Sequence, residues 1–265
     1  MEIMQGETVL ITGASSGIGL ELARCFAAEG SRLILLARNT EALETLAAEL
    51  RRTCHIETLV LTADLSRPET PARVARELQG RGIVVDVLVN NAGFGAQGAF
   101  AGLPLPRQLE MIQVNITALT ELTGLLLPRM IERRRGGVLN VGSVAGFLPG
   151  PGMAVYYATK AFVLSFTEAL AEELAGTGLK VTVLCPGPTE SNFGNVARGQ
   201  KARRLKTPKM TAAVVAGYGH RAFRQGRRLA VPGLQNRLMI FLVRITPRWL
   251  VRKLTGLYNS TKDQT

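Results

Sequence analysis

The chain has 265 residues, of which 46% are hydrophobic and 20% charged, and its formal net charge is +12 at pH 7. This length is enough to bury the core of one α/β domain, and the composition excludes disordered and fibrous classes. Three scattered cysteines argue against a disulfide framework, and two distant histidines lack ligand spacing, so no metal site is predicted.

Short β-branched runs alternate with longer helical stretches along the chain. We predict strands at Thr8–Thr12, Arg32–Ala37, Ile56–Thr62, Ile83–Val89, Gly137–Val141, Lys180–Cys185 and Arg228–Val231. Helices are predicted at Gly17–Glu29, Glu41–Arg52, from Pro68 onward, at Leu105–Glu132 and at Ala154–Leu174. Strands this apolar are buried on both faces. The pattern therefore predicts an α/β fold, a single-domain Rossmann fold with a doubly wound, mostly seven-stranded parallel sheet and helices on both faces.

A glycine-rich turn follows the first strand and opens the first helix. Gly13 allows a tight turn, Gly17 lets the backbone approach a pyrophosphate, and Gly19 lets the helix pack on the strand. The free N–H groups of the helix N-terminus would face the phosphates. The turn also contributes the candidate cofactor-binding residues Ser15, Ser16 and Ile18.

The end of the second strand indicates which dinucleotide is bound. An acidic residue there binds the ribose 2′-hydroxyl of NAD(H) and repels a 2′-phosphate. This strand ends in Ala37 and Arg38, and an arginine can grip a phosphate with two hydrogen bonds. NADP(H) is therefore the predicted cofactor. Asp64 after the third strand is a candidate acceptor for the adenine amino group, with Leu65 beside it.

Tyr156 and Lys160 lie four residues apart at a predicted helix start and so project from one face. A free tyrosine is a poor base at neutral pH, but a neighbouring ammonium and an oxidised nicotinamide ring both favour its phenolate. Tyr156 can then act as a general acid and base. Ser143, just past the fifth strand, is placed to hold the substrate oxygen.

With these residues in place, the sequence resembles the short-chain dehydrogenase/reductase family. The resemblance covers about Thr8 to Ser191. The matching segments, in the family's order and at its usual spacing, are Thr12–Gly19, Asp64, Asn90–Gly93, Asn115, Ser143, Tyr156 with Lys160, and Pro186–Thr189. A softer similarity is to the bacterial-type reductases of various substrate specificities.

The resemblance implies a four-residue catalytic group. Tyr156 would exchange a proton with the substrate oxygen, Ser143 would stabilise that oxygen, and Lys160 would hold the nicotinamide ribose and lower the tyrosine pKa. Asn115 would keep a water in a proton relay to Lys160. The resemblance also implies further cofactor contacts from Asn91, Ala92, Gly93, Pro186, Gly187 and Thr189.

The segments outside the strand ends are apolar and poor in acids, which favours a hydrophobic carbonyl or alcohol substrate. The candidate substrate residues are Phe94, Phe147, Met153 and Phe193, besides Ser143. The alternative is that these side chains simply fill the core. Residues 190–210 are predicted to form a substrate lid on a domain over residues 1–235.

The remaining residues, 236–265, form a basic amphipathic tail, and no Asp or Glu occurs from Ser191 to Lys253 against 15 Lys or Arg. Pro247 is expected to split the tail into two helices. Three interpretations compete: docking on the domain or a second subunit, peripheral membrane contact, and nucleic-acid binding, which is disfavoured because no recognition motif is present.

Two classes of function follow. The first is an NADP(H)-dependent oxidoreductase that interconverts a carbonyl and an alcohol. The second is an NADP(H)-binding scaffold or sensor with a membrane or protein partner and little turnover; the complete catalytic group disfavours it. The family resemblance implies a homo-oligomer, a dimer or tetramer. Because the chain begins with no basic and apolar leader, a cytoplasmic protein is predicted, with membrane association through the tail left open.

Overall fold

The computed structural model describes residues 6–190 and 209–260. Its strands are β1 Thr8–Thr12, β2 Arg32–Ala37, β3 Thr58–Thr62, β4 Val87–Asn90, β5 Gly137–Val141, β6 Lys180–Leu184, β7 Thr189–Glu190, β8 Met210–Thr211 and β9 Leu229–Ala230. Seven of them form one parallel sheet in the order β3-β2-β1-β4-β5-β6-β9, and β7 pairs with β8 separately. The predicted α/β fold is confirmed.

The central strands are buried on both faces, as their unbroken apolar sequences predict. In β1, Val9 and Ile11 pack into the core beneath α1, whereas Leu10 packs into the core on the opposite face of the sheet. Strand β1 lies between β2 and β4, with Leu10 paired to Ile34 and Leu88. Two apolar layers thus fix β1 at the centre of the sheet, where its carboxyl end opens onto the candidate cofactor site.

The helices are α1 Gly17–Ala28, α2 Thr40–Cys54, α3 Thr70–Gly80, α4 Leu105–Ile112, α5 Ala118–Arg133, α6 Ala154–Glu173, α7 Ala212–Arg224, α8 Leu234–Ile245 and α9 Arg248–Asn259. The helix predicted at Leu105–Glu132 is not uniform, because a π-helical turn at Gln113–Thr117 separates α4 from α5. Such a turn inserts one extra residue and is frequent at functional sites. It carries Asn115.

The predicted start of the fourth strand at Ile83 is wrong by four residues. Gly82 adopts a left-handed φ of 67°, and the Ile83 N–H donates to the Leu78 carbonyl oxygen over 2.9 Å. Ile83 therefore caps α3 instead of starting β4. The third strand likewise begins at Thr58, two residues later than predicted.

A chain of buried amides and hydroxyls crosses the sheet near the site. Asn90 at the end of β4 donates to Asn140 Oδ1 in β5 over 2.9 Å, and Asn140 donates to Thr167 Oγ1 in α6 over 2.9 Å. Asn90 also donates to Thr123 Oγ1 in α5. Because each buried polar group has a partner, the chain orients β4, β5 and both helices relative to one another without an unsatisfied group.

The tail forms two helices separated at Pro247, as predicted. Helix α8 buries Ile240, and α9 buries Val251, Thr255 and Asn259. These inward side chains dock the tail on the domain, while most of its other residues are exposed. Among the described residues, none of the helices is both long enough and apolar enough to cross a bilayer.

Candidate active site

The glycine-rich turn has the backbone that a dinucleotide cradle requires. Gly13 and Gly17 adopt φ values of 66° and 57°, which favour glycine. A Cβ at Gly19 would collide with the Gly13 carbonyl and the Asn91 amide, so the helix start can approach the strand only without a side chain. Ser16 precedes α1 without capping it, and the first turn carries no acid. The N–H groups in the first turn of α1 therefore have no side-chain cap and can bind a phosphate.

Thr12 and Asn91 hold this turn in place. Asn91 Nδ2 donates to the carbonyl oxygens of Thr12 and Gly13, over 2.9 and 3.1 Å. Thr12 Oγ1 accepts from the N–H groups of Asn91 and Ala92, each over 3.0 Å. The side chain of Asn91, predicted as a cofactor contact, is thus used to tie the ends of β1 and β4 together.

The predicted 2′-phosphate site lies at the end of β2. Arg38 is exposed there, and Asn39 caps α2 by accepting the Ala42 N–H over 3.0 Å. A cleft of about 520 Å³ lies beside it, lined by Arg38, Thr62, Ala63, Asp64, Arg67, Glu69, Thr70 and Arg73. Three arginines and the carboxylates of Asp64 and Glu69 line this cleft, and the exposed Arg38 offers a guanidinium that can pair with a phosphate.

Asp64 faces the same cleft. Burial opposes its ionisation, but hydrogen bonds from Ser66 and the charges of Arg38 and Arg67 outweigh that effect and lower its pKa. The carboxylate is therefore ionised and can accept a hydrogen bond, as an adenine amino group requires. The neighbouring Leu65 side chain packs in the core, so only its backbone is available to a cofactor.

Ser143 and Tyr156 are both buried and are hydrogen-bonded to each other. Ser143 follows β5 and begins a 3₁₀ turn, where its Oγ accepts the Ala145 N–H over 3.1 Å. Tyr156 lies in the first turn of α6. Burial raises the pKa of Tyr156 above its usual value, and the hydrogen bond with Ser143 partly opposes this. In the protein alone the phenol is therefore protonated, and the lowering of its pKa expected from Lys160 is not observed.

Lys160 lies one helical turn after Tyr156, as the sequence predicts. Its Nζ donates to the Val141 carbonyl oxygen at the end of β5 over 2.7 Å. Burial lowers its pKa to about 8, although the nearby Cys185 raises it slightly. A Cβ at Gly93 would lie 3.6 Å from this Nζ, so the predicted cofactor-binding segment after β4 passes directly beside the ammonium group.

The Asn115 side chain links the π-helical turn to Phe94 after β4 and to Thr159 in α6. Its Nδ2 donates to the Phe94 carbonyl oxygen and to Thr159 Oγ1, each over 3.0 Å, and its Oδ1 accepts the Phe94 N–H over 3.1 Å. Thr159 lies between Tyr156 and Lys160 in α6. The structure thus brings Asn115, Ser143, Tyr156 and Lys160 together, with the Asn115 amide engaged by the protein itself.

The predicted substrate residues fall into two groups. Phe94 and Met153 pack in the cluster that contains Tyr156, and the Arg107 guanidinium lies 3.9 Å from the centre of the Phe94 ring. Phe147 packs instead with Ile240 of the tail, in a neighbouring cluster. Phe193, and residues 191–208 of the predicted lid, lie outside the described residues.

The turn at Pro186–Thr189 lies against both the site and the tail. The Pro186 carbonyl accepts the Val144 N–H over 3.0 Å, and the Thr189 hydroxyl donates to the Gly187 carbonyl over 2.9 Å. A Cβ at Gly187 would collide with the Asn236 side chain of α8. A side chain at this position would therefore displace the Asn236 amide from the turn.

Asn259 is a site neighbour that was not predicted from the sequence. Its Oδ1 accepts the Tyr157 hydroxyl over 3.3 Å, and its Nδ2 donates to the Pro151 carbonyl over 3.1 Å. Gln97 Nε2 donates to the Asn259 carbonyl over 2.6 Å. One buried residue of the tail thus joins three segments that border the catalytic group. No local pattern could indicate it, since its partners lie over 100 positions away.

A family model described as short chain dehydrogenase matches residues 7–202. The chain belongs to the short-chain dehydrogenase/reductase family. It is 42% identical over 195 residues to sulfoacetaldehyde reductase 2 of Chromohalobacter salexigens, covering 73% of this chain and 77% of that protein. It is 41% identical over 194 residues to a putative ketoacyl reductase of Streptomyces coelicolor, covering 72% and 74%.

Among solved structures, the chain is similar to a short-chain dehydrogenase from Sphingobium yanoikuyae in complex with NADPH. The TM-score is 0.80 and the identity 32%, with 98% of each chain covered. This chain is therefore an oxidoreductase of the nicotinamide-dependent class. The narrower resemblance to bacterial-type reductases of various substrate specificities remains a prediction.

Proposed function

We propose that this protein is an NADPH-dependent reductase that converts a hydrophobic ketone or aldehyde to its alcohol. The observation that carries the proposal is the buried hydrogen bond between Tyr156 and Ser143, with Lys160 one helical turn away and the glycine cradle at the neighbouring strand end. Proton donor, oxygen-binding hydroxyl and ammonium thus lie near one another at the carboxyl ends of the strands, where ligands of such folds bind.

The reaction adds one hydride and one proton to a carbonyl group. NADPH, when bound, would supply the hydride that the carbonyl carbon accepts. Ser143 donates a hydrogen bond to the carbonyl oxygen, and Tyr156 transfers its phenolic proton to that oxygen as negative charge develops there. The raised pKa of Tyr156 supports the reductive direction, because the residue is protonated before the reaction starts.

Three features support NADP(H) over NAD(H). The end of β2 presents Arg38 and no acid, and Arg67 and Arg73 line the same cleft. The similar protein from Sphingobium yanoikuyae was solved with NADPH. An arginine cluster interacts with a dianionic 2′-phosphate far more strongly than with a hydroxyl, so the preference is expected to depend on these charges.

The substrate class follows from the cluster around Tyr156. Phe94, Met153 and the half-buried Leu148 and Val155 provide apolar surface, which favours a hydrophobic carbonyl compound over a charged one. The two similar proteins from Chromohalobacter salexigens and Streptomyces coelicolor are both named reductases, which agrees with this assignment.

A homo-oligomer, a dimer or a tetramer, is part of the proposal. Helices α4, α5 and α6 expose apolar side chains that the described part of the chain leaves uncovered, including Leu109, Ile112, Leu125 and Phe162. A second copy packed on these helices would bury them. Light scattering of the purified protein tests this directly.

The decisive experiment follows NADPH absorbance with a panel of apolar ketones and aldehydes. Wild type should turn over, and Tyr156→Phe should lose at least a thousandfold in kcat, on the order of general acid and oxyanion stabilisation combined. Tyr157→Phe is the matched control, since it removes an adjacent hydroxyl that bonds to Asn259 and should keep most of the kcat even where KM rises. Tight NADPH binding by wild type without turnover on any carbonyl would instead support the sensor alternative.

The cofactor preference is tested by comparing the Kd of NADPH and of NADH. Arg38→Asp should weaken NADPH binding by about a hundredfold and leave NADH binding nearly unchanged, because a charge-assisted phosphate contact becomes a repulsion. Arg76→Asp on the exposed face of α3 is the control for net charge. A similar loss in both variants would refute the assignment of the 2′-phosphate site.

A further inference from the structure

Helix α8 exposes a stripe of large apolar side chains. Leu234, Leu238, Phe241, Leu242 and Ile245 have between 47% and 80% of their surface accessible to solvent. Successive residues of an α-helix are about 100° apart, so these five positions fall within about 100° of the helix circumference. We refer to this set of five residues as the apolar stripe. It is continuous and faces away from the domain.

The helix that carries the stripe is anchored from its other side. Ile240 is buried, Asn236 Nδ2 donates to the Pro232 carbonyl over 2.7 Å, and Arg237 Nε donates to the Val231 carbonyl over 3.0 Å. These contacts fix the rotation of α8 and hold the stripe outward. Outward exposure therefore results from the docking of the tail itself, and an exposed stripe of this kind marks an interaction surface.

Basic residues border the stripe, and no acidic residue lies among them. Arg237 and Arg244 are seven residues apart and lie along one edge of it, and α9 adds exposed Arg248, Arg252 and Lys253. No Asp or Glu occurs in residues 234–260. Trp249 is also exposed, with Lys253 Nζ 5.6 Å from the centre of its ring. Apolar, aromatic and cationic groups together are typical of helices that lie in a membrane interface.

The dimensions of α8 favour lying on a bilayer rather than crossing it. Its 12 residues span about 18 Å, against about 30 Å for the hydrocarbon layer. A stripe of this width can enter the region between headgroups and acyl chains while the flanking arginines contact lipid phosphates. The helix is already formed and docked, so binding need not order it.

We propose that α8 and α9 bind the surface of a bilayer that contains anionic lipids. Charge complementarity selects this occupant over a second copy of the chain. A two-fold contact would bring the same surface of both copies together, and so would set the cations that border one stripe, Arg244 and Arg248 among them, against the like-charged border of the other. Anionic headgroups instead supply the negative charge that this surface lacks. Binding of lipid by this surface requires no catalytic turnover, so it can be measured separately from the proposed reductase activity.

The test uses the full chain and vesicles of phosphatidylcholine with or without phosphatidylglycerol. Trp249 is the chain's one tryptophan, so its emission reports on this surface directly. We expect a blue shift and co-sedimentation with the anionic vesicles, and at least tenfold weaker partitioning into the neutral ones. Raising the salt concentration should reduce binding to the anionic vesicles.

Two double variants separate the apolar from the electrostatic contribution. Leu238→Gln with Phe241→Gln, and Arg244→Glu with Arg248→Glu, should each reduce partitioning at least tenfold, since each basic residue contributes about a factor of five or more near an anionic surface. The matched controls are Leu105→Gln with Leu109→Gln on α4, and Arg76→Glu with Arg129→Glu. Both control pairs should partition like wild type.

Equal partitioning by the test and control variants would overturn the proposal. So would light scattering that shows a dimer dissolved by the stripe variant alone, without vesicle binding by wild type, because the surface would then be a contact between copies. NADPH affinity should be unchanged in all four variants, which confirms that each is folded.

Discussion

The Tyr157 hydroxyl donates a hydrogen bond to Asn259 Oδ1 over 3.3 Å, which links the residue beside Tyr156 to the last turn of α9. The rings of Tyr156 and Tyr157 meet edge to face with their centres 6.0 Å apart. A Cβ at Gly150 would collide with the Tyr157 ring, so the loop before α6 packs tightly on it. The tail therefore packs, through Asn259, against the residue that adjoins Tyr156.

We expect Asn259→Ala to raise KM about fivefold while kcat falls less than twofold, because about 1 kcal/mol of loop positioning is lost but the reacting groups remain. The free energy of unfolding should fall by about 1–3 kcal/mol, since the buried Tyr157 hydroxyl and Pro151 carbonyl lose a partner. Steady-state kinetics and urea unfolding measure both quantities.

Ser260→Ala is the control for this variant, because Ser260 is the exposed neighbour of Asn259. It should leave KM unchanged. If Asn259 has only a structural role, Asn259→Ala will lower the free energy of unfolding but leave KM unchanged at a temperature where the variant is folded. That result would contradict a role for Asn259 in shaping the substrate site.

Features with a local signature were predicted correctly. Strands β1, β2 and β5 begin and end where their apolar runs do. The glycine turn and the pair Tyr156 and Lys160 are encoded in eight and five consecutive residues, and the structure places both at the same edge of the sheet. In each case the chemistry depends on spacing within one turn, which the sequence displays directly.

Features that depend on distant partners could not be predicted. Helix α7 was missed because Gly217 and Gly219 interrupt its pattern, yet Gly219 is needed where the helix packs against Leu184. Ile83 resembles a strand residue but caps α3. The contact of Asn259 with Tyr157 joins residues 102 positions apart. In all three cases tertiary packing decides the local structure, and no pattern among neighbouring residues indicates it.

The depressed pKa of Lys160, about 8, predicts how cofactor affinity varies with pH. Below pH 7 the side chain is an ammonium and can bind a ribose hydroxyl. Above pH 8 the ammonium fraction falls by up to tenfold per pH unit, so the Kd of NADPH should rise by a similar factor. Fluorescence titration from pH 6 to pH 9.5 measures this.

Two variants separate the contribution of Lys160 from general effects of pH. Lys160→Met should bind NADPH weakly at every pH and with no rise above pH 8. Arg38→Gln should also bind weakly but keep the rise, because Lys160 is intact. A Kd of NADPH that does not change with pH in wild type would contradict a role for the Lys160 ammonium in cofactor binding.

The lowered pKa of Lys160 also affects stability. The free energy of unfolding of wild type should increase from pH 8 to pH 10.5, where only the unfolded chain still binds the proton.

Gly19→Ala is expected to damage the cofactor cradle. Its Cβ would meet the Gly13 carbonyl and the Asn91 amide, so the turn must shift. Overpacking of this kind costs about 1–3 kcal/mol, and the Kd of NADPH should rise at least tenfold because the phosphate-facing N–H groups move. Gly80→Ala is the control, since nothing lies within 4 Å of a Cβ there. Its affinity and stability should match or exceed those of wild type.

His220 should make the stability of the fold depend on pH. Its side chain lies in a cluster with Glu29, Arg224, the buried Glu7 and the Phe26 ring; His220 Nε2 is 3.1 Å from Glu29, and Arg224 is 2.7 Å from Glu7. Burial lowers the pKa of His220 below its usual 6.5, and Arg224 lowers it further, although Glu29 opposes both. The folded state therefore holds a neutral imidazole at pH values where the unfolded chain is already protonated.

Because the folded pKa lies below the unfolded one, the free energy of unfolding is expected to fall as the pH decreases below about 6.5, by up to about 1.4 kcal/mol per pH unit. Urea unfolding at pH 7.5 and pH 5.5 measures this loss. His220→Gln should be less stable at pH 7.5 but show a smaller loss between the two pH values. His55→Asn keeps a side chain that tolerates the left-handed backbone at this exposed position, and it should retain the wild-type pH dependence. An equal pH dependence in wild type and His220→Gln would show that other groups control acid stability.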